Sequence, residues 1–390
     1  MAMRVITEVE NLRGKIVLVR VDFNVPIKDY KVVDDARIVG ALPTLEYLLQ
    51  QGASVVIASH LGRPKATRRV QKQYSMEPVK LVLERLLGMS VTLAPLDRKK
   101  AYRAAKALKP GEVLMLENLR FDPGEKSNSQ EFIDYLASLA DLVVNEAFGA
   151  MHRKHASIDG VARKLPSYAG FLVAKEVEAF QRLLNPNLRN LTLVLGGAKV
   201  ADKIPMIEQL LDKTRTILVG GAMCYTFLAA QGYSVGKCLV DTENLEYVRG
   251  LIRKADARGI RIVLPTDIRL TNGTVCDVSA IPSDGEGLDI GERTYWSFMR
   301  EIEYSDIVFW NGTMGVSEIP MFELGTMAVA YAIALNRDAF TVVGGGDTAA
   351  AVKRLGIIYL IDHVSTGGGA SLKLIEKGTL VGLEALGYAA

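Results

Sequence analysis

In the stretch RVDFNVP, residues 20–26, Asp22 and Asn24 arrive just after the apolar run Ile16-Val17-Leu18-Val19. A carboxylate and an amide set down at the end of a buried strand can accept from and donate to a polar ligand, and Arg20 adds a cation beside them. The pattern repeats along the first half. His60 and Arg63 follow ASVVIAS, Arg120 follows EVLMLEN, and His152, Arg153 and His155 follow DLVVNEA. Arg37 falls at the expected start of the first helix. Any one of these residues alone reads as surface charge or as a structural histidine. Four arginines and two or three histidines at successive strand ends describe a cationic bowl for phosphate and carboxylate oxygens, which planar guanidinium groups bind two at a time.

The second half carries glycine where the first carries cations. LGGAKVADK, VGGAM, WNGTMG, VGGGDTAAA and STGGGAS each end an apolar run. Glycine between a strand and a helix lets the backbone approach closely, and the helix start offers unsatisfied N–H groups to an anion. One such element is a turn; several ending neighbouring strands form a polyphosphate site. Neither GxxxxGK[ST] nor GxGxxG occurs, which excludes a P-loop nucleotidase and a simple dinucleotide fold. Lys199 and Lys203 stand four apart in what reads as the helix after the GGA turn, hence on one face, where at least one can follow a transferred phosphoryl group.

Side chains so placed need strands that end together. Strand-like runs recur as KIVLVR, ASVVIAS, SVTLAP, EVLMLEN and DLVVNEA, then LTLVLGG, TILVGGA, RIVLPTD, DIVFWNG, FTVVGGGD and IIYLIDH. They are continuous rather than alternating, as expected of parallel strands covered on both faces. Amphipathic stretches such as ALPTLEYLLQQ and SQEFIDYLASLA supply crossover helices. In an open parallel sheet, ligands bind beyond the carboxyl ends of the strands. Two α/β units in series follow. Between Tyr168 and Asn190 the pattern is a helix broken at Asn185-Pro186 and followed by a new strand, a stiff connector with hinges at its ends.

With 390 residues and 49% apolar content, the chain can form two cores of ordinary size. The net charge of +3 is uneven: residues 1–170 hold 26 Lys/Arg against 19 Asp/Glu, giving +7 there and −4 in the remainder. A basic first part suits an anionic ligand, whether a small phosphorylated molecule or nucleic acid. Stacking aromatics interleaved with basic residues are missing, as is any nucleic-acid module, so no nucleic-acid partner is expected. Cys224, Cys238 and Cys276 show neither metal-ligand spacing nor a disulfide framework. No run approaches ~18 apolar residues and the N-terminal stretch lacks a signal-peptide core. The expectation is a cytoplasmic protein with no membrane partner, and, with no heptad or obvious exposed apolar element, a monomer.

The motifs RVDFNVP, SHLGRP, ENLRF, NEAFGAMHRKHAS, AGFLVAKE, LGGAKVADKI, GGGDTAAAV and HVSTGGGASLKLIE, in this order, resemble those of the phosphoglycerate kinase family from end to end. The compact length is similar to that of bacterial and archaeal members. The resemblance implies two doubly wound parallel-sheet, Rossmann-like α/β domains joined by a hinge helix. Residues 1–170 would bind 3-phosphoglycerate, 171–187 form the linking helix and hinge, 188–375 bind the nucleotide, and 376–390 return toward the N-terminal domain. It further implies reversible phosphoryl transfer from 1,3-bisphosphoglycerate to ADP, giving 3-phosphoglycerate and ATP, with Mg2+.

By the same resemblance Asp22, Phe23, Asn24, Arg37, His60, Leu61, Gly62, Arg63, Arg120 and Arg153 match the 3-phosphoglycerate site. Arg37, Lys199 and Lys203 match the catalytic cations. Gly197, Ala198, Lys203, Gly221, Asn311, Glu318, Gly345, Gly346, Asp347 and Thr348 match the nucleotide site, with Asp347 at the metal and Glu318 at the ribose. Gly367 and Gly368 match an anion-stabilising helix start. Three places depart from the family pattern, all in the nucleotide half: NGTMGVSE with Thr313 and Ser317 for Pro and Phe, Glu292 after Asp289-Ile290-Gly291, and LPTD at Leu264–Asp267. They bear on the shape of the adenosine pocket. The attacking oxygen is anionic in either direction, so no general base is assigned to His60, His152 or His155.

Overall fold

The computed structural model describes residues 3–389, in two compact units. One holds the residues up to Glu178 together with those from Lys377 on; the other holds Ala179–Glu376. The dividing line falls inside the helix Phe171–Leu184. Among the described residues no helix is long and apolar enough to cross a membrane.

The strands of the first unit are β1 (Ile16–Val21), β2 (Ile27–Lys28), β3 (Lys31–Val32), β4 (Ser54–Ala58), β5 (Val91–Leu93), β6 (Val113–Met115), β7 (Leu142–Glu146) and β8 (Ser167–Ala169). Six of them form one sheet in the order β5-β6-β4-β1-β7-β8, every pair parallel. β2 and β3 make a separate small hairpin. In β1, Val17, Val19 and Val21 pack into one apolar cluster and Leu18 into another, and β4 splits likewise, with Val55 and Ile57 against Val56 and Ala58. Successive side chains point to opposite faces, so a strand covered on both must be apolar throughout. The sequence leaves β8 unmarked, because three residues between Pro166 and Gly170 are too short to show a period.

The second unit contains β9 (Leu191–Leu195), β10 (Thr214–Val219), β11 (Arg261–Val263), β12 (Asp267–Leu270), β13 (Val275–Asp277), β14 (Gly287–Ile290), β15 (Ile307–Asn311), β16 (Phe340–Gly344) and β17 (His363–Val364). Its parallel sheet runs β11-β10-β9-β15-β16-β17, and β13-β12-β14 form a separate antiparallel sheet that the reading of apolar runs does not contain. One expected strand is displaced. Within IIYLIDH, Ile358–Leu360 form a 3-10 turn with Tyr359 79% exposed, and only His363–Val364 pair with β16. The cause is Asp362, whose carboxylate accepts from the Thr341 N–H and hydroxyl at 2.8 Å each while its own N–H donates back to the Thr341 hydroxyl at 3.0 Å. That exchange seats the chain beside β16 only from this point on.

Candidate active site

Because every strand of the first sheet is parallel, its carboxyl ends share one edge, and Asp22, Asn24, His60, Arg120 and Arg153 follow four neighbouring strands there. Arg37 reaches the same place from the first turn of the helix Ala36–Gln50. Its Nη1 donates to Asp22 Oδ2 at 2.9 Å and to the Asn24 carbonyl at 3.2 Å. Asn24 Oδ1 accepts from the Gly62 N–H at 2.8 Å, which ties the ends of β1 and β4 together. Arg120 donates from Nη1 to the Gly62 carbonyl. Among the described residues, Asp22 Oδ1 and Arg120 Nε are buried polar atoms on this edge without a hydrogen-bond partner. Such atoms are costly unless a ligand or water meets them.

The electrostatics of this edge are one-sided. Arg120 is pushed down to about 10, by burial first and then by Arg153 and Arg20. His155 falls to about 4 for the same reasons: burial, then Arg20, Arg120 and Arg153. His60 is driven far below the ordinary histidine range by burial, Arg20, Arg120, Arg153 and His155. Cations crowded with too little negative charge mark a place that gains by taking an anion. Arg63 and Arg153 are exposed at its rim. Phe23 and Leu61 turn their side chains into the core, at 0% and 3% exposure, so only their backbone can serve a ligand.

Beneath the edge, Arg20, which the sequence sets beside Asp22 and Asn24 as a further cation, turns instead into a buried layer with Ser157 and Glu125, neither of them singled out from the sequence. Arg20, inside β1, donates from Nε to Ser157 Oγ at 2.7 Å, and Ser157 Oγ donates to Glu125 Oε1 at 2.7 Å. A lone arginine within a central apolar strand was the available signal, since a charge there requires a buried partner.

In the second unit the glycine turns end adjacent strands. A cavity of about 220 Å3 opens beside them, lined among others by Gly197, Ala198, Gly221, Thr313 and Glu318. Asp289, Ile290 and Met314, which lie in the departing stretches, also line it, as do Tyr225 and Leu288, which the sequence did not single out. Burial pushes Asp289 up to about 7, and its two oxygens accept the Ile290 and Gly325 N–H groups at 2.9 Å each. Cys224 and Cys238 are buried and Cys276 half-buried, with no disulfide.

The two lysines do not share a helix face. Lys199 is exposed in an irregular stretch, whereas Lys203 is buried at the end of the 3-10 turn Ala201–Lys203. The α-helix starts only at Ile204, because the Pro205 ring would clash with the Ala201 carbonyl of a continuous helix but fits its first turn. Burial lowers the Lys203 pKa, opposed by Asp202 and Asp347. Asp347 itself is exposed in the first turn of the helix Gly346–Arg354. Thr348 and Asn311 are buried, and the Thr348 hydroxyl accepts from the Gly312 N–H at 2.7 Å, holding two glycine turns together. Gly367 donates to Ser365 Oγ at 3.1 Å ahead of the helix Gly369–Lys377, and a Cβ on Gly368 would meet nothing within 4 Å.

The three departures separate. Thr313 lines the cavity. Glu292 opens the helix Glu292–Glu303, whose Arg293 and Thr294 N–H groups donate to Asp267, the acid of LPTD, at 3.1 and 2.9 Å. Those two places therefore serve a helix start, where negative charge is favourable. Ser317 is buried, and its carbonyl accepts from Arg354 at 2.7 Å.

A family model described as phosphoglycerate kinase matches residues 6–378. The phosphoglycerate kinase of Thermus thermophilus is 51% identical over 383 residues, covering 96% of this chain and 97% of that protein. That of Moorella thermoacetica is 47% identical over 383 residues, covering 96% and 97%. Among solved structures, phosphoglycerate kinase from Coxiella burnetii superposes with a TM-score of 0.90 at 37% identity, over 99% of both chains. The Pyrococcus horikoshii enzyme gives 0.81 at 34%, over 99% and 98%. The chain belongs to the phosphoglycerate kinase family, and its reaction is phosphoryl transfer between 1,3-bisphosphoglycerate and ADP.

Proposed function

We propose that the cationic edge of the first unit holds 3-phosphoglycerate and that the glycine-lined edge of the second holds ADP or ATP with Mg2+. One observation carries this reading: the unpaired polar atoms and crowded cations gather at the carboxyl edge of one parallel sheet, and the helix starts gather at that of the other. Asp22 Oδ1 accepts the substrate hydroxyl and Arg120 Nε donates to an anionic oxygen. Asn24 offers its amide N–H, its oxygen being committed to Gly62. Arg63, Arg153 and His60 hold the remaining phosphate and carboxylate oxygens, and Phe23, Leu61 and Gly62 contribute backbone.

On the nucleotide side Gly197, Ala198, Gly221 and Glu318 hold the nucleoside in the cavity they line. Lys203, Gly345, Gly346, Asp347 and Thr348 face the phosphates, with Asn311 behind the turn and the helix start at Gly367-Gly368 as a further anion site. Mg2+ fits this donor set. Among the described residues no cluster of three or more ligating side chains exists, and a small hard cation that keeps waters and phosphate oxygens needs only one carboxylate, here the exposed Asp347. Bound there, it would neutralise charge on the nucleotide phosphates.

The attacking oxygen, carboxylate or β-phosphate, is already ionised, so no base is required; His60 and His155 are held neutral. Repulsion and alignment are the obstacles. Arg37, anchored by Asp22, keeps guanidinium N–H groups for the attacking carboxylate and the moving phosphoryl group. Lys203 and Lys199 meet the same group from the nucleotide side. The segment 171–187 is assigned as the linking helix and hinge between the two units.

A coupled assay with 3-phosphoglycerate and MgATP tests the assignment. Arg37→Ala and Lys203→Ala are each expected to lower kcat by about 10²-fold or more, the scale of losing one transition-state donor. Near-wild-type kcat in either variant would remove that residue from the site.

A further inference from the structure

Arg20 lies where no ligand reaches. It is 1% exposed, in the central strand, paired with Ala58 on one side and Asn145 on the other. Its guanidinium is used on the protein: Nε donates to Ser157 Oγ at 2.7 Å, Nη1 to the Val21 carbonyl, and Nη2 faces His60 Nδ1 at 3.1 Å. Ser157 is fixed in turn by Glu125, itself 0% exposed, through its hydroxyl at 2.7 Å and its N–H at 3.1 Å. A guanidinium has donors only. His60 Nδ1 must therefore present its lone pair to Arg20, which leaves the ring proton on Nε2. The other tautomer would set N–H against N–H across the 3.1 Å contact. Asp22 Oδ1, 3.8 Å from Nδ1, is too far away to compensate with a hydrogen bond.

We infer that Arg20 is a positioning residue that locks His60 as the neutral Nε2–H tautomer, making the ring a fixed hydrogen-bond donor to an anionic substrate oxygen. Among the described residues no group bonds Nε2. The titratable and charged groups around the ring are Arg20, Arg120, Arg153, His155 and Asp22, with Glu125 behind Arg20, and the arginines among them oppose a second proton. A free histidine would offer two donors in acid and exchange tautomers in base; the locked ring offers the same single donor throughout. The lock stands on the protein geometry alone, while the identity of its acceptor rests on the reading that this edge binds 3-phosphoglycerate.

Imidazole 15N shifts of the full-length chain report both. The protein has four histidines, and His60→Gln assigns the one that matters. In the wild type His60 is expected to show a single Nε2–H pattern unchanged from about pH 5 to 9, although a free imidazole titrates near ~6.5. Arg20→Met is expected to free the ring, so that an Nδ1–H pattern appears beside the Nε2–H one, and to raise KM for 3-phosphoglycerate about ten-fold, the loss of one well-placed donor to a charged group. An Nδ1–H pattern in the wild type, or a His60 midpoint between about 5 and 8, overturns the lock whether or not the Arg20 variant folds. Addition of 3-phosphoglycerate should then shift the Nε2 resonance. An intact tautomer without that shift overturns the substrate assignment and leaves the lock standing.

Discussion

Gly312 and Gly346 both follow strand ends, yet they are glycine for different reasons. Gly312 has φ +98, and a Cβ there would sit 2.3 Å from the Gly196 backbone. Gly346 has no positive φ, and a Cβ on it would meet nothing within 4 Å. The first is demanded by the fold; the second leaves room the protein does not fill, in the first turn of a helix whose start faces outward. Gly346→Ala is therefore expected to change stability by no more than about 0.5 kcal/mol, alanine being the better helix former. Nucleotide affinity should nevertheless fall about ten-fold, because the methyl group stands where phosphate oxygens must approach. Gly312→Ala should cost at least about 2 kcal/mol through strain and backbone collision. Thermal melts with and without ADP separate the two; a Gly346→Ala protein with wild-type ADP affinity would take that turn out of the nucleotide site. From the sequence all these glycines look alike. Their position after strands was legible because apolar runs mark the strands, whereas which of them face protein depends on neighbours brought from far along the chain.

The same limit recurs at the scale of elements. Continuous apolar runs revealed ten of the twelve strands in the two large sheets, and Pro186 revealed the end of the helix Phe171–Leu184. What fixes the start of that helix was not legible. Glu146, at the end of β7 and 1% exposed, accepts the Leu172 and Val173 N–H groups at 3.0 and 3.3 Å and the Thr44 hydroxyl; Thr44 in turn accepts the Phe171 N–H at 2.8 Å. Three N–H groups of the first turn are thus satisfied by side chains distant in sequence, as helix starts require. Burial pushes Glu146 up to about 7, against the opposing pull of those hydrogen bonds. A raised folded-state pKa means that the native state binds the proton more tightly than the unfolded chain. Its contribution is then full below about 4.5 and is lost as pH rises through about 7, a change of about 3 kcal/mol. Asp289 in the other unit adds a term of the same sign, so the variant must be compared with the wild type. Glu146→Gln, which cannot ionise, is expected to flatten this part of the stability–pH curve. Denaturant unfolding at pH 5, 6, 7 and 8 measures it; parallel curves for the two proteins would show that Glu146 does not titrate there.

On the scale of the whole chain, both ends build the unit assigned to 3-phosphoglycerate. Near the start Val5 bridges Ala169, and after Lys377 the chain returns to cover the loop that carries Arg153 and His155. Gly382 donates its N–H to the Met151 carbonyl at 2.9 Å, and a Cβ on it would press within 2.8 Å of the Met151 side chain. Leu380, Leu383 and Leu386 are buried at 3%, 0% and 0%. The basic charge of the first 170 residues and the motifs at its strand ends could be read locally; the return of 376–390, more than two hundred positions later, was implied only by the family resemblance, because GTLVGLEAL itself carries apolar content but no sign of what it covers. The consequence is specific. Ending the chain at Gly378 exposes Met151 and Ile158, both at 0%, and uncovers the backbone beneath Arg153. Burying side chains of this size contributes roughly 1.5–3 kcal/mol each. The truncated protein should therefore melt well below the wild type and bind 3-phosphoglycerate at least about ten-fold more weakly. ADP, assigned to Ala179–Glu376, should keep its affinity. Calorimetric titration with each ligand at a temperature where the truncated chain is still folded decides the matter. Equal losses for both ligands would mean that the terminal segment supports the whole molecule rather than one half of its site.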